Sequence, residues 1–179
     1  VIIWTRISPK VNAAIDVTWR ICRDVEMTDE VNRGIFSTNA DRDYTVKVDA
    51  DGLMPDSWYY YQFEAGDKKS AIGRTKTAAE TGLDRLRLAV VSCSSFPHGF
   101  FNVYKVLAER NDLDAVVHLG DYIYEYGEGQ YDDKDLRAER ALLPKHEIIS
   151  LSDYRQRHNL YKRDPDLQAV HQQYPFIVT

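Results

Sequence analysis

The sequence is poor in several residue types, and each shortage excludes a class of protein. Two cysteines in 179 residues, at positions 22 and 93, are too few and too far apart for a disulfide-stabilised scaffold. Six prolines, together with 44% apolar residues, exclude a disordered or fibrous chain. The net charge of -5 lacks the basic surplus that nucleic-acid binding usually needs, so we expect no nucleic-acid partner. No apolar run approaches the roughly 20 residues that a membrane-spanning helix requires.

The chain begins and ends in apolar runs of β type, Val1–Trp4 and Phe176–Thr179. We therefore expect both ends to lie inside folded structure, so that the chain is one part of a longer gene product. An export signal could then lie upstream. The lack of one in these residues indicates no particular compartment.

Residues 1–77 show the alternation of a β domain. Ala14–Ile21 and Tyr44–Val48 alternate apolar and polar side chains, as half-buried strands do. A Pro-Asp-Ser turn precedes an aromatic-rich strand, Trp58–Ala65. The segment resembles a fibronectin type III-like sandwich, in which a Leu-x-Pro turn precedes a strand whose tyrosine fixes the corner, and the first strand would be missing here. Any small antiparallel sheet would show the same alternation, so that alternative stays open.

A polar linker at residues 78–84 separates this domain from a different pattern at residues 85–179. Leu86–Val91 and Asp114–Leu119 are typical of buried strands, and the apolar residues between them recur at helical spacing, which predicts a βαβ unit with parallel strands. Residues 127–147 are rich in charged side chains, which predicts a solvent-exposed loop over the surface. We predict helices starting after Ser152 and at Asp164-Pro165, and a last strand near Phe176.

The residues that directly follow two of the predicted strands, here called the strand exits, have side chains that can bind a metal ion. Cys93 follows the first predicted strand of the βαβ unit, and Asp121 follows the second. Ligands of open α/β sheets bind outside the carboxyl ends of the strands, so Cys93 and Asp121 are expected to lie side by side and to share a cation. Gly120 leaves the carboxylate of Asp121 open to two metal ions, each a Lewis acid toward a phosphoryl oxygen.

The chain resembles the alkaline phosphatase D (PhoD-like) family of calcineurin-like metallophosphoesterases. Its most specific motif is His118-Leu-Gly-Asp-Tyr-Ile-Tyr-Glu-Tyr126, supported by Trp4-Thr-Arg6, Ser92-Cys93 and Tyr154-Arg155. The resemblance implies an N-terminal sandwich followed by the first part of an α/β metallophosphoesterase domain. It also implies metal-dependent hydrolysis of small phosphate monoesters or diesters, in a secreted, periplasmic or cell-surface protein.

The metal ligands that the resemblance implies are Cys93, Asp121 and Tyr124 around a ferric ion (Fe3+), with calcium (Ca2+) as companion and Asp121 as the bridging, catalytic carboxylate. A phenol with a pKa of about 10 loses its proton at neutral pH only to a strongly acidic metal, so Tyr124 favours iron. Purple acid phosphatases normally offer Asp at the first exit, so Cys93 distinguishes the two families. Further ligands would follow Thr179, and we expect the chain alone to be inactive.

Each of these residues also has a structural interpretation. Cys93 could be a small buried apolar residue, Asp121 a turn residue, and the tyrosines at 122, 124 and 126 a packing stripe. Among the histidines, only His98 is a candidate for substrate contact; His118, His158 and His171 are expected to be structural, and Cys22 to lie in the sandwich core. A non-catalytic binding protein with a remnant metallophosphoesterase half is the alternative function. The preferred phosphoester and the oligomeric state do not follow from the sequence.

Overall fold

The computed structural model describes residues 1–10, 12–136 and 138–179. Clustering of contacts divides the chain into two compact units, Val1–Arg85 and Leu86–Thr179. In the described part of the chain, no helix has the length and apolar character needed to cross a membrane.

The first unit contains two antiparallel sheets. The smaller sheet pairs β1 with β4, and the larger has the order β3-β2-β5-β6, with β7 also paired to β5. The strands are β1 (Ile2–Arg6), β2 (Ile15–Cys22), β3 (Glu30–Thr38), β4 (Thr45–Asp49), β5 (Trp58–Ala65), β6 (Lys68–Lys69) and β7 (Gly73–Lys76). The prediction for Trp58–Ala65 is therefore confirmed to the residue. The sequence patterns had not indicated β3.

Side chains from both sheets form one core in this unit. Alternate residues of a strand point to opposite faces, which is why the alternating apolar positions end up together. The buried residues are Ile3, Val17, Trp19, Ile21, Val46, Val48, Ala50, Tyr59 and Phe63. The buried Tyr59 hydroxyl accepts a hydrogen bond from the Met54 backbone N–H at 2.8 Å, which ties the Leu-x-Pro turn to β5. The fibronectin type III relationship itself stays a prediction. Cys22 is fully buried, as expected.

The second unit is built on a three-stranded parallel sheet of order β10-β9-β8. Its elements are β8 (Leu88–Val91), α1 (Asn102–Glu109), β9 (Ala115–His118), α2 (Leu151–Tyr161), α3 (Pro165–Gln173) and β10 (Phe176–Val178). Strands β8 and β9 pair in parallel with α1 between them in sequence, which confirms the predicted βαβ unit. The strand predicted near Phe176 is also confirmed and pairs in parallel with β9.

One predicted helix start is wrong. The N-cap of α2 is Ser150, not Ser152: the Ser150 hydroxyl accepts from the Asp153 N–H, and the Asp153 carboxylate accepts from the Ser150 N–H at 2.9 Å. A capping box needs an acceptor side chain three residues after the cap, and Ser152 would have Arg155 there. These hydrogen bonds lower the pKa of Asp153 to about 2. The predicted cap at Asp164 is confirmed, since its side chain accepts from two backbone N–H groups of α3.

The charged segment at 127–147 is only partly the solvent-exposed loop that the sequence predicts. Arg140 is buried and donates to Asp164 at 2.7 Å, while its guanidinium lies 3.6 Å from the centre of the Phe96 ring. Asp164 pairs the charge of this buried arginine, and the Phe96 carbonyl accepts a hydrogen bond from its Nε at 2.9 Å. Its Nη2 has no hydrogen-bond partner among the described residues. Leu142, in the same segment, is buried as well. Charge alone is therefore a poor indicator of exposure in this segment.

One face of the parallel sheet carries exposed apolar side chains among the described residues. Val90, Val117 and Ile177 are aligned across the three strands, and alternation places Leu88 on the same face as Val90. Leu88 is 43% exposed, Val90 60% and Ile177 54%. Parallel sheets normally bury both faces, and an exposed apolar face of this kind favours association.

We expect the 179-residue chain to self-associate through this face. Replacing Val90 with Lys should shift the chain toward the monomer in sedimentation velocity, because an ammonium group cannot be buried unpaired against a second copy. Val25→Lys, at an exposed turn of the first unit, is the matched control and should not change the distribution. A monomeric parent chain, or equal effects of both variants, would contradict this expectation.

Candidate metal centre

Cys93 and Asp121 lie side by side just beyond two neighbouring parallel strands. The hydrogen-bond pattern of the sheet continues past the strand ends: the Cys93 N–H donates to the Gly120 carbonyl at 3.2 Å, and the Ser94 N–H to the Asp121 carbonyl at 2.9 Å. The Cys93 thiol is 3.5 Å from Oδ2 of Asp121. The sequence prediction that these two residues meet at the carboxyl edge of the sheet is therefore confirmed.

The backbone at both exits has an uncommon conformation. Cys93 has a φ angle of 60° and Asp121 one of 54°, both in the left-handed region. Gly120, directly before Asp121, has a φ angle of 103°. Non-glycine residues adopt this region at a cost of order 1–3 kcal/mol, and such residues cluster at functional sites. Two neighbouring residues held this way turn their side chains toward each other at the strand ends.

Tyr124 completes a cluster of three side chains. Its hydroxyl donates to Oδ2 of Asp121 at 3.2 Å, the same oxygen that the Cys93 thiol faces. Burial raises the pKa of Tyr124, and its hydrogen bonds to Cys93 and Asp121 raise it further together with their charge. A cation between these groups would act in the opposite direction, because it favours the phenolate.

The cluster is open and chemically mixed. Cys93 and Asp121 are exposed, and Tyr124 is partly buried. Within the described residues, no three His, Cys, Asp or Glu side chains are gathered as metal ligands, so a site here depends on the tyrosine. One sulfur and two kinds of oxygen donor directed at a common point suit a trivalent iron ion, since such an ion stabilises phenolate and thiolate. The donor set therefore fits the implied metal.

A buried hydrogen-bond network lies directly behind Cys93. The Ser94 hydroxyl is 2.9 Å from Nε2 of His118 and is also hydrogen-bonded to the Tyr104 hydroxyl. His118 is fully buried, and that burial lowers its pKa. Its Nδ1 has no hydrogen-bond partner within the described residues. A neutral, buried His118 that holds Ser94 agrees with the structural role expected from the sequence.

The tyrosines at 122, 124 and 126 do not form a single stripe, because the chain is not extended there. Tyr122 is buried, and its hydroxyl is 2.7 Å from Nε2 of His171, which in turn is 3.0 Å from the Lys162 amine. Tyr124 and Tyr126 stack on each other with ring centres 6.2 Å apart. The packing interpretation therefore applies to part of the set and does not exclude the contact between Tyr124 and Asp121.

Arg157, which sequence reasoning missed, fixes the backbone beside Tyr124. It is almost fully buried, and its Nη1 donates to the Tyr124 carbonyl at 2.5 Å and to the Tyr126 carbonyl at 3.1 Å. Its Nε and Nη2 donate to the carbonyls of Leu143 and Pro144 at 3.1 and 2.9 Å. Five fixed donors make arginine suited to joining two loops in this way. The one signal of this in the sequence is its spacing: Arg157 lies three and four residues before Leu160 and Tyr161, on the side of α2 that is buried.

His98 lies beside the cluster rather than in it. It is exposed at the end of a short 3-10 helix, and its Nδ1 is 2.9 Å from the Ser95 hydroxyl. Both residues line a cleft of about 320 Å³ to which Tyr124 also contributes. His98 is thus near the cluster, and its contact with substrate stays a prediction.

Comparison with known proteins gives the family. The family model for the N-terminal domain of PhoD-like phosphatases matches residues 1–79, and the model for PhoD-like phosphatase matches residues 88–179. Together with the α/β sheet and the polar cluster at its carboxyl edge, these matches place the chain in the class of phosphatases. It belongs to the PhoD-like phosphatase family, as the sequence motifs predicted.

Individual relatives agree with this assignment. Alkaline phosphatase D of Bacillus subtilis (strain 168) is 37% identical over an alignment that covers the whole chain, and the chain spans 32% of that protein's length. A solved structure described as the structure of PhoD superposes with a TM-score of 0.91 at 36% identity, covering 99% of this chain and 35% of the other. The chain thus spans about a third of the length of the relatives it matches.

The carbonyl contacts of Arg157 lead to a stability prediction. Arg157→Met keeps the length of the side chain but leaves buried carbonyls without donors, so we expect the free energy of unfolding to fall by about 3 kcal/mol. Arg157→Lys should recover only part of this loss, since an ammonium group cannot reach both loops. Urea denaturation measures the change, with the exposed Arg163→Met as control. A loss no larger than that of the control would show that the contacts are unimportant.

A second prediction concerns the buried amine. Burial lowers the pKa of Lys162 to about 8, whereas an unfolded lysine titrates near pH 10.4. The folded state therefore loses this proton first as the pH rises, and stability should increase between about pH 8 and 10. Its neighbours do not titrate in that window: burial lowers the pKa of His171 well below its usual value and raises that of Tyr122.

The measurement is the free energy of unfolding against pH, for the parent chain and for Lys162→Met. The free energy of unfolding of the parent should rise relative to that of Lys162→Met as the pH increases from 7 to 10, because only the parent carries the charge at position 162 that is lost in this range. Lys105→Met, at an exposed position of α1, is the control. A pH-independent difference would mean that Lys162 keeps a normal pKa.

Proposed function

We propose that this chain supplies the first ligands of a metal centre that hydrolyses phosphate monoesters or diesters. The observation that carries the proposal is the convergence of the Cys93 thiol and the Tyr124 hydroxyl on Oδ2 of Asp121, at 3.5 and 3.2 Å. Membership of the PhoD-like phosphatase family supports the reaction, and the name of the Bacillus relative, alkaline phosphatase D, supports the substrate class.

Cys93, Asp121 and Tyr124 would hold a ferric ion, with calcium as its companion. When bound, these cations would supply the positive charge that stabilises a phosphoryl group as negative charge develops on its oxygens. Asp121 is the bridging residue in this proposal. Both contacts described above fall on its Oδ2, and its carboxylate would supply negative charge to both cations.

The surrounding residues position the three donors. The sheet hydrogen bonds at Cys93 and Ser94 fix the spacing between the exits, and Arg157 fixes the carbonyl of Tyr124. The carboxylate of Asp121 and the thiol of Cys93 favour the protonated hydroxyl of Tyr124, which would release its proton from Oη to solvent when a strongly acidic cation binds. The protein thus presents a site in which few groups must move when the cation binds, a form of preorganisation.

The remaining family-level expectations are part of the same proposal. We expect a secreted, periplasmic or cell-surface location, a fibronectin III-like first unit, phosphodiesterase as well as phosphatase activity, and little turnover by the 179-residue chain alone. A non-catalytic binding protein is the weaker candidate, because nothing in its role would require three donor groups to meet at strained strand exits.

The test of the metal site is spectroscopic. Phenolate and thiolate on ferric iron should give a visible charge-transfer band in the gene product that carries this chain, and Tyr124→Phe should shift the band and weaken iron binding. Tyr126→Phe is the matched control, since Tyr126 stacks on Tyr124 but has no described contact with Asp121. A colourless iron-loaded protein, or equal effects of the two variants, would remove Tyr124 from the site.

Activity of the same variants tests the role of Asp121. Asp121→Asn should reduce phosphodiester hydrolysis more than Cys93→Ser or Tyr124→Phe, because a neutral amide leaves the repulsion between two cations uncompensated. The loss should be on the order of 100-fold or more, as for other metal-site changes. An Asp121→Asn variant with the parent activity would contradict the bridging role.

A further inference from the structure

A cleft of about 320 Å³ opens next to the metal-ligand candidates within the second unit. Tyr124 belongs to both features: its hydroxyl contacts Asp121, and the residue lines the cleft. A phosphoester whose phosphoryl group lay at Asp121 would therefore have one of its organic groups at the mouth of this cleft. The volume is at the lower end of the range for small-molecule pockets, which suits a single ring.

The wall of the cleft is aromatic. Tyr126 stacks on Tyr124, and Tyr131 lies against Tyr126 with ring centres 4.5 Å apart and planes inclined by 50°. The loop that carries Tyr131 is attached at both ends, since the Glu128 N–H donates to Lys145 and the Asp133 N–H to Pro97. Tyr131 is 59% exposed, so its ring keeps a free face next to Tyr126 at which a further aromatic group could pack.

The cleft offers no charged group for a second anion among the described residues that line it. Arg157 is the cationic side chain in the wall, and Nε, Nη1 and Nη2 all donate to backbone carbonyls. Ser95 and His98, which also line the cleft, are hydrogen-bonded to each other. Apolar side chains of Pro97 and Leu142 complete the lining. The site is suited to an uncharged, planar organic group rather than to a second phosphate.

We propose that this cleft binds the aromatic or other planar apolar substituent of the phosphoester, with Tyr131 as the specificity-determining residue. The inference rests on the proposed hydrolytic function and extends it to the substrate class: esters of aromatic alcohols are preferred over esters of small alkyl alcohols. Tyr131 contributes a ring to the wall and has no described contact with Cys93 or Asp121.

Competitive inhibition separates this binding from catalysis. Phenylphosphonate and methylphosphonate carry the same anionic group, so the inhibition constant of methylphosphonate divided by that of phenylphosphonate measures how much the phenyl ring contributes to binding. We expect this ratio to exceed 1 in the gene product and to fall about fivefold in Tyr131→Ala. Tyr131→Phe should retain it, because the ring is kept. Tyr154→Ala, an exposed tyrosine of α2 outside the cleft lining, is the control for loss of a surface ring.

A second measurement needs no metal and no turnover. Neutral phenol, followed by saturation-transfer NMR with the metal-free protein, should receive magnetisation from the parent and from Tyr131→Phe, and markedly less from Tyr131→Ala. If the parent protein hydrolyses no phosphoester but still shows this pattern, the proposed function fails, and with it the substrate preference, whereas the binding of an aromatic ring in the cleft beside Tyr131 stands. An unchanged phosphonate ratio in Tyr131→Ala, or phenol that contacts all three proteins equally or none, overturns it.

Discussion

The parallel pairing of β8 with β9 is the constraint on which the candidate site depends. Parallel strands end at the same edge of a sheet, and here the backbone hydrogen bonds continue for one step beyond the strands, from Cys93 to Gly120 and from Ser94 to Asp121. Those two bonds fix the separation of the exits before any side chain is considered. The thiol and the carboxylate can therefore meet only because the register is held, and a slip of one residue would direct them to opposite faces.

Tyr124 is outside this sheet and needs a separate support, which Arg157 provides. The arginine stands on α2, a helix whose start is fixed by the capping box at Ser150 and Asp153. Its guanidinium connects the Tyr124 carbonyl to the segment around Pro144. The positions of Cys93 and Asp121 thus depend on the sheet. The position of Tyr124 depends on the buried guanidinium group of Arg157, 33 residues later in the chain. The same arginine closes one wall of the aromatic cleft, which links the position of Tyr124 to the shape of the neighbouring pocket.

The sequence predicted the features that arise from local periodicity and from short motifs. The density of aromatic residues and the preceding turn predict Trp58–Ala65, and two short apolar runs with helical spacing between them predict the βαβ unit. Cys93 and Asp121 followed from the rule that strand exits carry the ligands of an α/β sheet, without knowledge of the three-dimensional structure. Membership of the family followed from the motif around Asp121.

Contacts between distant segments could not be predicted in the same way. Arg157 and Arg140 are charged residues that would ordinarily be placed at the surface, and only the carbonyls or the carboxylate opposite them make burial favourable. The cleft near Tyr131 likewise requires a loop of irregular backbone to return over Pro97. β3 alternates in burial but not in residue type: its inward positions include Asn32 and Gly34, which packs closely on the Trp19 ring, and its outward face carries Ile35, 70% exposed.

The central claim is that a sulfur and a phenolate oxygen hold one iron ion at the edge of this sheet. X-ray absorption spectroscopy of the iron-loaded gene product tests it most directly, because sulfur and oxygen scatter differently at the metal. The account predicts one sulfur neighbour of iron in the parent protein and its loss in Cys93→Ser, with the oxygen neighbours retained. A first shell of oxygen and nitrogen alone, unchanged by Cys93→Ser, would contradict the account.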